Sequence, residues 1–228
     1  MDLYLFFSWI PDISILIPLF LIIKQKYYLN KEHTALTCFV IITMLRNFIG
    51  MAYNILSLYN EEIRNMSNLF LYNWHCIIGF YLISYLYYTL IRNKVWKKAI
   101  MLIWLIFGIV SLLDTQNGTL SIGTRSFNKY SFSVAALLIL TVILAYMYEV
   151  LKDLMIDDIM KFPYFWLSSG FISYFGGTLL MFLYLLNSPS QQGQLAWVFD
   201  SLLTLILNGA IFITIWYSNV PSQKKKIA

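Results

Sequence analysis

Four residues of this 228-residue chain have side chains that could do chemistry and stand where such side chains are costly: Asp12, Arg46, His75 and Asp200, each inside an apolar run. An ionisable group at the centre of a membrane helix costs about 2.5 to 3.5 kcal/mol on insertion scales unless paired or hydrated, so none of the four should face lipid. Helical spacing enlarges the set. Arg46 shares one side of its segment with Gly50, Tyr53 and Asn54, and Asp200, Thr204 and Asn208 recur every fourth residue. Two carboxylates, an imidazole and a guanidinium support three arrangements. Arg46 can pair with Asp12 or Asp200 and pin helices together. It can form the floor of an outward-opening cavity for a ligand or ion. Or the carboxylates and His75 can act as acid and base on a lipid whose phosphate Arg46 holds, which would make the protein an intramembrane hydrolase-like enzyme.

Other chemistries lack their residues. There are two His and two Cys in all, and no H-E-x-x-H, G-x-S-x-G or Walker motif, so neither a metal, a cofactor nor a catalytic residue is assigned. His75 by itself reads as a packed imidazole bonded to a carbonyl or a tyrosine. Every lysine falls in a loop, a tail or a helix end, which leaves no buried amine for a retinal Schiff base. Cys38 and Cys76 should lie near opposite membrane faces, too far apart to bond. Mid-helix Tyr81, Tyr85 and Tyr174 read as packing residues with a hydrogen bond.

The elements that must position these groups are seven apolar segments, at about 3–23, 35–57, 68–91, 99–114, 130–151, 163–186 and 195–218. With 60% hydrophobic residues, 12% charged and a mean hydropathy of +0.69, the chain predicts an all-α, multi-pass membrane protein. A single domain spans 1–220, followed by a short basic tail, 221–228. The net charge of +5 sits in short loops and that tail, so nucleic acid is not an expected partner. Twelve cations flank one side against three on the other, which places the amino terminus outside and the carboxyl terminus in the cytoplasm of the plasma membrane. Trp and Tyr near the segment ends agree, Tyr72 among them in the outer belt. Pro11 and Pro18 predict a bend in the first segment, and Gly176–Gly177 could break the sixth. Ser169, Ser173, Gly176 and Gly177 form a small-residue face on which a neighbouring helix could sit. The run from Glu149 to Phe162 reads as a continuation of the fifth helix, with Asp153, Asp157 and Asp158 as a solvated end or a docking patch for a cytoplasmic partner.

The segments PYFWLSSGFISYFGGTLLMF and WVFDSLLTLILNGAIFITIW resemble those of small bacterial seven-helix membrane proteins associated with sensor histidine kinases. The resemblance implies a sensory role beside a kinase or another membrane partner, as analogy. The expected function is thus a sensory or ligand-binding module in the bilayer, taking a small ligand or lipid. A lipid-acting enzyme is the alternative, with a small transporter behind it.

Overall fold

The computed structural model describes residues 3–27, 33–61, 63, 67–116, 118–122, 124, 128–152, 159–186 and 193–218, the backbone alone at 3–8, 182–186 and 193–197. Among the described residues the chain is all helix, without strands. In order come α1 (Leu3–Ser14), α2 (Leu16–Lys24), α3 (Thr34–Tyr59), α4 (Leu69–Leu90), α5 (Lys94–Thr115), α6 (Lys129–Lys152), a 3₁₀ turn (Ile159–Lys161), α7 (Pro163–Leu186) and α8 (Gly193–Ser218). Five of them, α3, α4, α5, α6 and the Val198–Ser218 part of α8, are long and apolar enough to cross a membrane. Their outward faces fit lipid rather than water: Leu112 is 69% exposed and Leu144 57%. In hydrocarbon every backbone N–H and C=O must bond within its own segment, which is why these apolar runs become helices.

The first segment is broken at Ile15, between α1 and α2. Pro18 has no N–H to offer the carbonyl of Ser14, and its ring crowds that carbonyl. The loosened turn is held from outside. Asn208 on α8 donates to the carbonyl of Pro11 at 3.2 Å and to Oγ of Ser14 at 2.7 Å. By contrast α7 runs unbroken through Gly176 and Gly177. Its close-packed face shares only Gly177 with the expected one. A Cβ on Gly170 would lie 2.4 Å from Cβ of Ala210, and one on Gly177 2.6 Å from Leu203, whereas Gly176 meets nothing within 4 Å and Ser173 is exposed. The seat for α8 is therefore Gly170 and Gly177, seven residues and two turns apart.

Helix packing closes a ring in the order α1/α2, α3, α4, α6, α7, α8 and back, while α5 leans from outside on α4 and α6. One end of this ring is tied by polar caps. Asn93 caps α5 by accepting from the Val95 N–H at 2.8 Å, and Glu149 at the end of α6 accepts the Arg92 and Asn93 N–H groups at 2.8 and 3.1 Å. At the other end Asn73, fully buried on α4, donates to the Thr119 carbonyl at 2.7 Å and accepts the Asn128 N–H at 3.1 Å. Nearby, Asp114 accepts both the N–H and the hydroxyl of Ser131. Replacing Asn73 by Ala leaves a carbonyl and an N–H unpartnered in the interior. The expected result is a loss of about 2 kcal/mol of stability, read as a lower thermal midpoint in detergent; an unchanged midpoint would show that the loop is not held this way.

Of the expected continuation, the part up to Lys152 is helical and Ile159–Lys161 is a 3₁₀ turn, while 153–158 lie outside the described residues. Asp153, Asp157 and Asp158, and the tail 221–228, lie outside the described residues.

Candidate functional site

The middle of the ring is hollow. A cavity of about 260 Å³ is enclosed by α3, α4, α6, α7 and α8, and Arg46, His75, Asp200, Thr204 and Asn208 all line it. Its width comes from small residues at the wall, Gly79 on α4 and Ala135 and Ala136 on α6. The two ends differ in chemistry. Helix positions set Arg46, Tyr72, Asp200 and Thr204, with Leu69 and Met181, toward one end and Phe80, Ile83 and Ile139 toward the other, with His75 and Phe39 in contact between them. From Tyr72 to Ile83 along α4 is about 16 Å at 1.5 Å per residue.

Arg46 is held by neighbours that do not neutralise it. Its Nε and Nη2 both donate to Oδ1 of Asn47, the Nε at 2.8 Å, and its guanidinium carbon lies 4.8 Å from the centre of the Tyr72 ring. Asn47 in turn reaches the backbone carbonyl of Asp12 at 3.5 Å. Asp12 and Asp200 are within electrostatic reach of Arg46, but among the described residues no carboxylate closes on it to ion-pair distance. A guanidinium has five N–H donors. Two are spent on one amide oxygen, so three remain.

His75 bonds neither to a carbonyl nor to a tyrosine. Its Nε2 lies 2.9 Å from Oγ1 of Thr43, whose hydroxyl is also 2.8 Å from the Phe39 carbonyl. A threonine has one hydroxyl proton. Given to the Phe39 carbonyl, it leaves Nε2 of His75 as the donor and Nδ1 as an acceptor. The Phe39 ring packs against this imidazole at 5.8 Å and 46°.

The remaining expected residues part company. Asn54 does not line the cavity: it is exposed, and its Oδ1 meets Nδ2 of Asn68 at 3.5 Å. Asp12 touches the site through its backbone and its charge and is not part of the wall. Asn208 lines the wall, yet its amide is spent on the break in the first segment. Asn47, Thr43, Tyr72 and Tyr174 belong to the site's surroundings and were not among the expected site residues. Tyr72 is a wall residue beneath a cation, beyond the boundary role its position suggests. The signal that could have found Asn47 is its place beside Arg46, as a second polar group in the middle of an apolar segment.

Cys38 and Cys76 are both free, and Cys76 lines the cavity. No group of three His, Cys, Asp or Glu side chains that could hold a metal ion occurs among the described residues. Comparison of the chain with family models, with curated proteins and with solved structures finds no match.

Proposed function

We propose that the chain is a seven-crossing module of the plasma membrane, amino terminus outside and carboxyl terminus in the cytoplasm, that binds a small ligand or lipid in an outward-facing cavity. A helix movement then passes the signal to a membrane or cytoplasmic partner such as a sensor kinase. The observation that supports this is the state of Arg46. A pin between helices would be a closed ion pair; here the guanidinium faces a cavity, steadied by Asn47 and Tyr72, with three donors left over. The break at Ile15, clasped by Asn208 from the same wall, offers an element that can move when the cavity fills.

Access to the cavity tests the reading. With Cys38 and Cys76 replaced by Ala, a Thr204→Cys variant should react with a membrane-impermeant thiol reagent added from outside, much faster than a Leu202→Cys variant, whose side chain is 53% exposed on the outer, lipid-facing surface. Equal rates, or reaction only from the cytoplasmic side, would remove the outward-facing site.

A further inference from the structure

The lining of this cavity narrows what can fill it. Its polar end holds two unlike groups, the unspent donors of Arg46 and the carboxyl of Asp200. A purely anionic head would satisfy the guanidinium, which matches carboxylate or phosphate with two parallel N–H groups, but would bring the Asp200 carboxyl no donor. A purely cationic head would meet the reverse. Its other end offers aromatic and aliphatic carbon and little else, in Phe80, Ile83 and Ile139. The volume of about 260 Å³ falls at the small end of ligand cavities and takes a head group with part of one chain rather than a whole two-chain lipid.

Resting on the reading of the cavity as a binding site, we infer that its occupant is an amphiphile with a zwitterionic head, a carboxylate or phosphate beside a primary ammonium, and a single apolar tail. The anionic group lies against Arg46, and the ammonium donates to the Asp200 carboxylate. The tail runs down α4 past Gly79 toward Ile83, where a side chain at position 79 would have narrowed the path beside Phe39. A bilayer-resident lysophospholipid and a water-borne apolar amino acid share this chemistry and differ in tail length.

The test uses the full chain in phosphatidylcholine nanodiscs and radiolabelled lauroyl lysophosphatidylethanolamine, with empty discs as the blank. Unlabelled competitors separate the terms: lauroyl lysophosphatidate lacks the ammonium, laurylamine lacks the anion, and leucine lacks the long tail. The zwitterionic lipid should compete roughly tenfold better than either single-charge amphiphile, one hydrogen-bonded charge being worth at least that factor. Asp200→Asn should erase the preference over lysophosphatidate while binding persists, and Arg46→Gln should erase the preference over laurylamine. These opposite changes cannot come from misfolding. Leucine competing as well as the lysophospholipid would assign the aqueous source; leucine failing to compete would assign the bilayer. Equal binding of all three lipid-like probes would overturn the head-group assignment and leave the cavity standing. Absence of saturable binding by any probe, with Thr204→Cys still labelled from outside, would overturn the assignment of an amphiphile altogether.

Discussion

Replacing Gly170 by Val should lower the stability of the protein by about 3 kcal/mol, the top of the usual range for overpacking. Even a single methyl at this position would have its carbon 2.4 Å from Cβ of Ala210, a separation that non-bonded carbon atoms do not adopt. Ala210 has no rotamer to turn. Relief therefore requires the backbones of α7 and α8 to separate, and these two helices form the most extensive contact in the bundle. Their separation would also strain the bond from the Thr214 hydroxyl to the Pro163 carbonyl, 3.1 Å long, at the start of α7. Gly177 supplies the control. A methyl there would lie 2.6 and 2.7 Å from the two Cδ atoms of Leu203 and 3.2 Å from its Cγ, all in one flexible side chain, so Gly177→Ala should be relieved by swinging that side chain about χ1 and cost less. Thermal midpoints of the purified proteins in one detergent would decide this. Equal midpoints for Gly170→Val and Gly177→Ala would mean that the close approach of α7 and α8 is not rigid.

That the helices would form, and which charges would turn inward, was legible because both follow from one cost. Polar groups are expensive in hydrocarbon, so apolar runs coil and their few ionisable side chains seek one another. Arg46, His75, Asp200 and Thr204 meet at one cavity accordingly. Where periodicity was stretched to eight residues it held in part. Eight residues at about 100° each overshoot two turns by about 80°. Asn54, eight beyond Arg46, has rotated off the cavity and out past the packed part of α3. Asn208, eight beyond Asp200, still lines the cavity, with its amide turned to Pro11 and Ser14 of α1.

Other features depended on partners that no single segment discloses. Which face of α7 is the tight one is decided by Ala210 and Leu203 on α8, not by where Ser169, Ser173 and Gly176 cluster. The choice of Asn47 over a carboxylate for Arg46 is a matter of reach: a long side chain bends back on its own helix neighbour when α1 places only a backbone carbonyl near by. The bend of the first segment was readable from Pro11 and Pro18. Its clasp by Asn208, almost two hundred residues on, was not.

Lowering the pH should destabilise the protein through His33, a residue at the start of α3 that neither charge nor motif singles out. The ring is 8% exposed, stacked on Tyr27 at 3.9 Å and 13°, with Nδ1 3.1 Å from the hydroxyl of Tyr164. Burial pushes its pKa down from 6.5 to about 4. A cation there would also face the positive end of the helix it precedes. Because the folded pKa is the lower of the two, the unfolded chain binds the proton more tightly. The contribution of neutral His33 is intact above pH 6.5, fades as the pH falls toward 4, and is lost below it, a difference of about 3 kcal/mol at 1.36 kcal/mol per pH unit. Carboxylates titrate in part of the same range, so the measurement is a comparison. An Asn at position 33 keeps an acceptor for Tyr164 and a helix-capping side chain without a titrating ring. Between pH 7 and pH 4 the thermal midpoint of the native protein should fall well below that of His33→Asn, whatever offset the two show at pH 7. Parallel curves would mean that protonated His33 is accommodated, and that the Tyr27–His33–Tyr164 stack opens to water without cost.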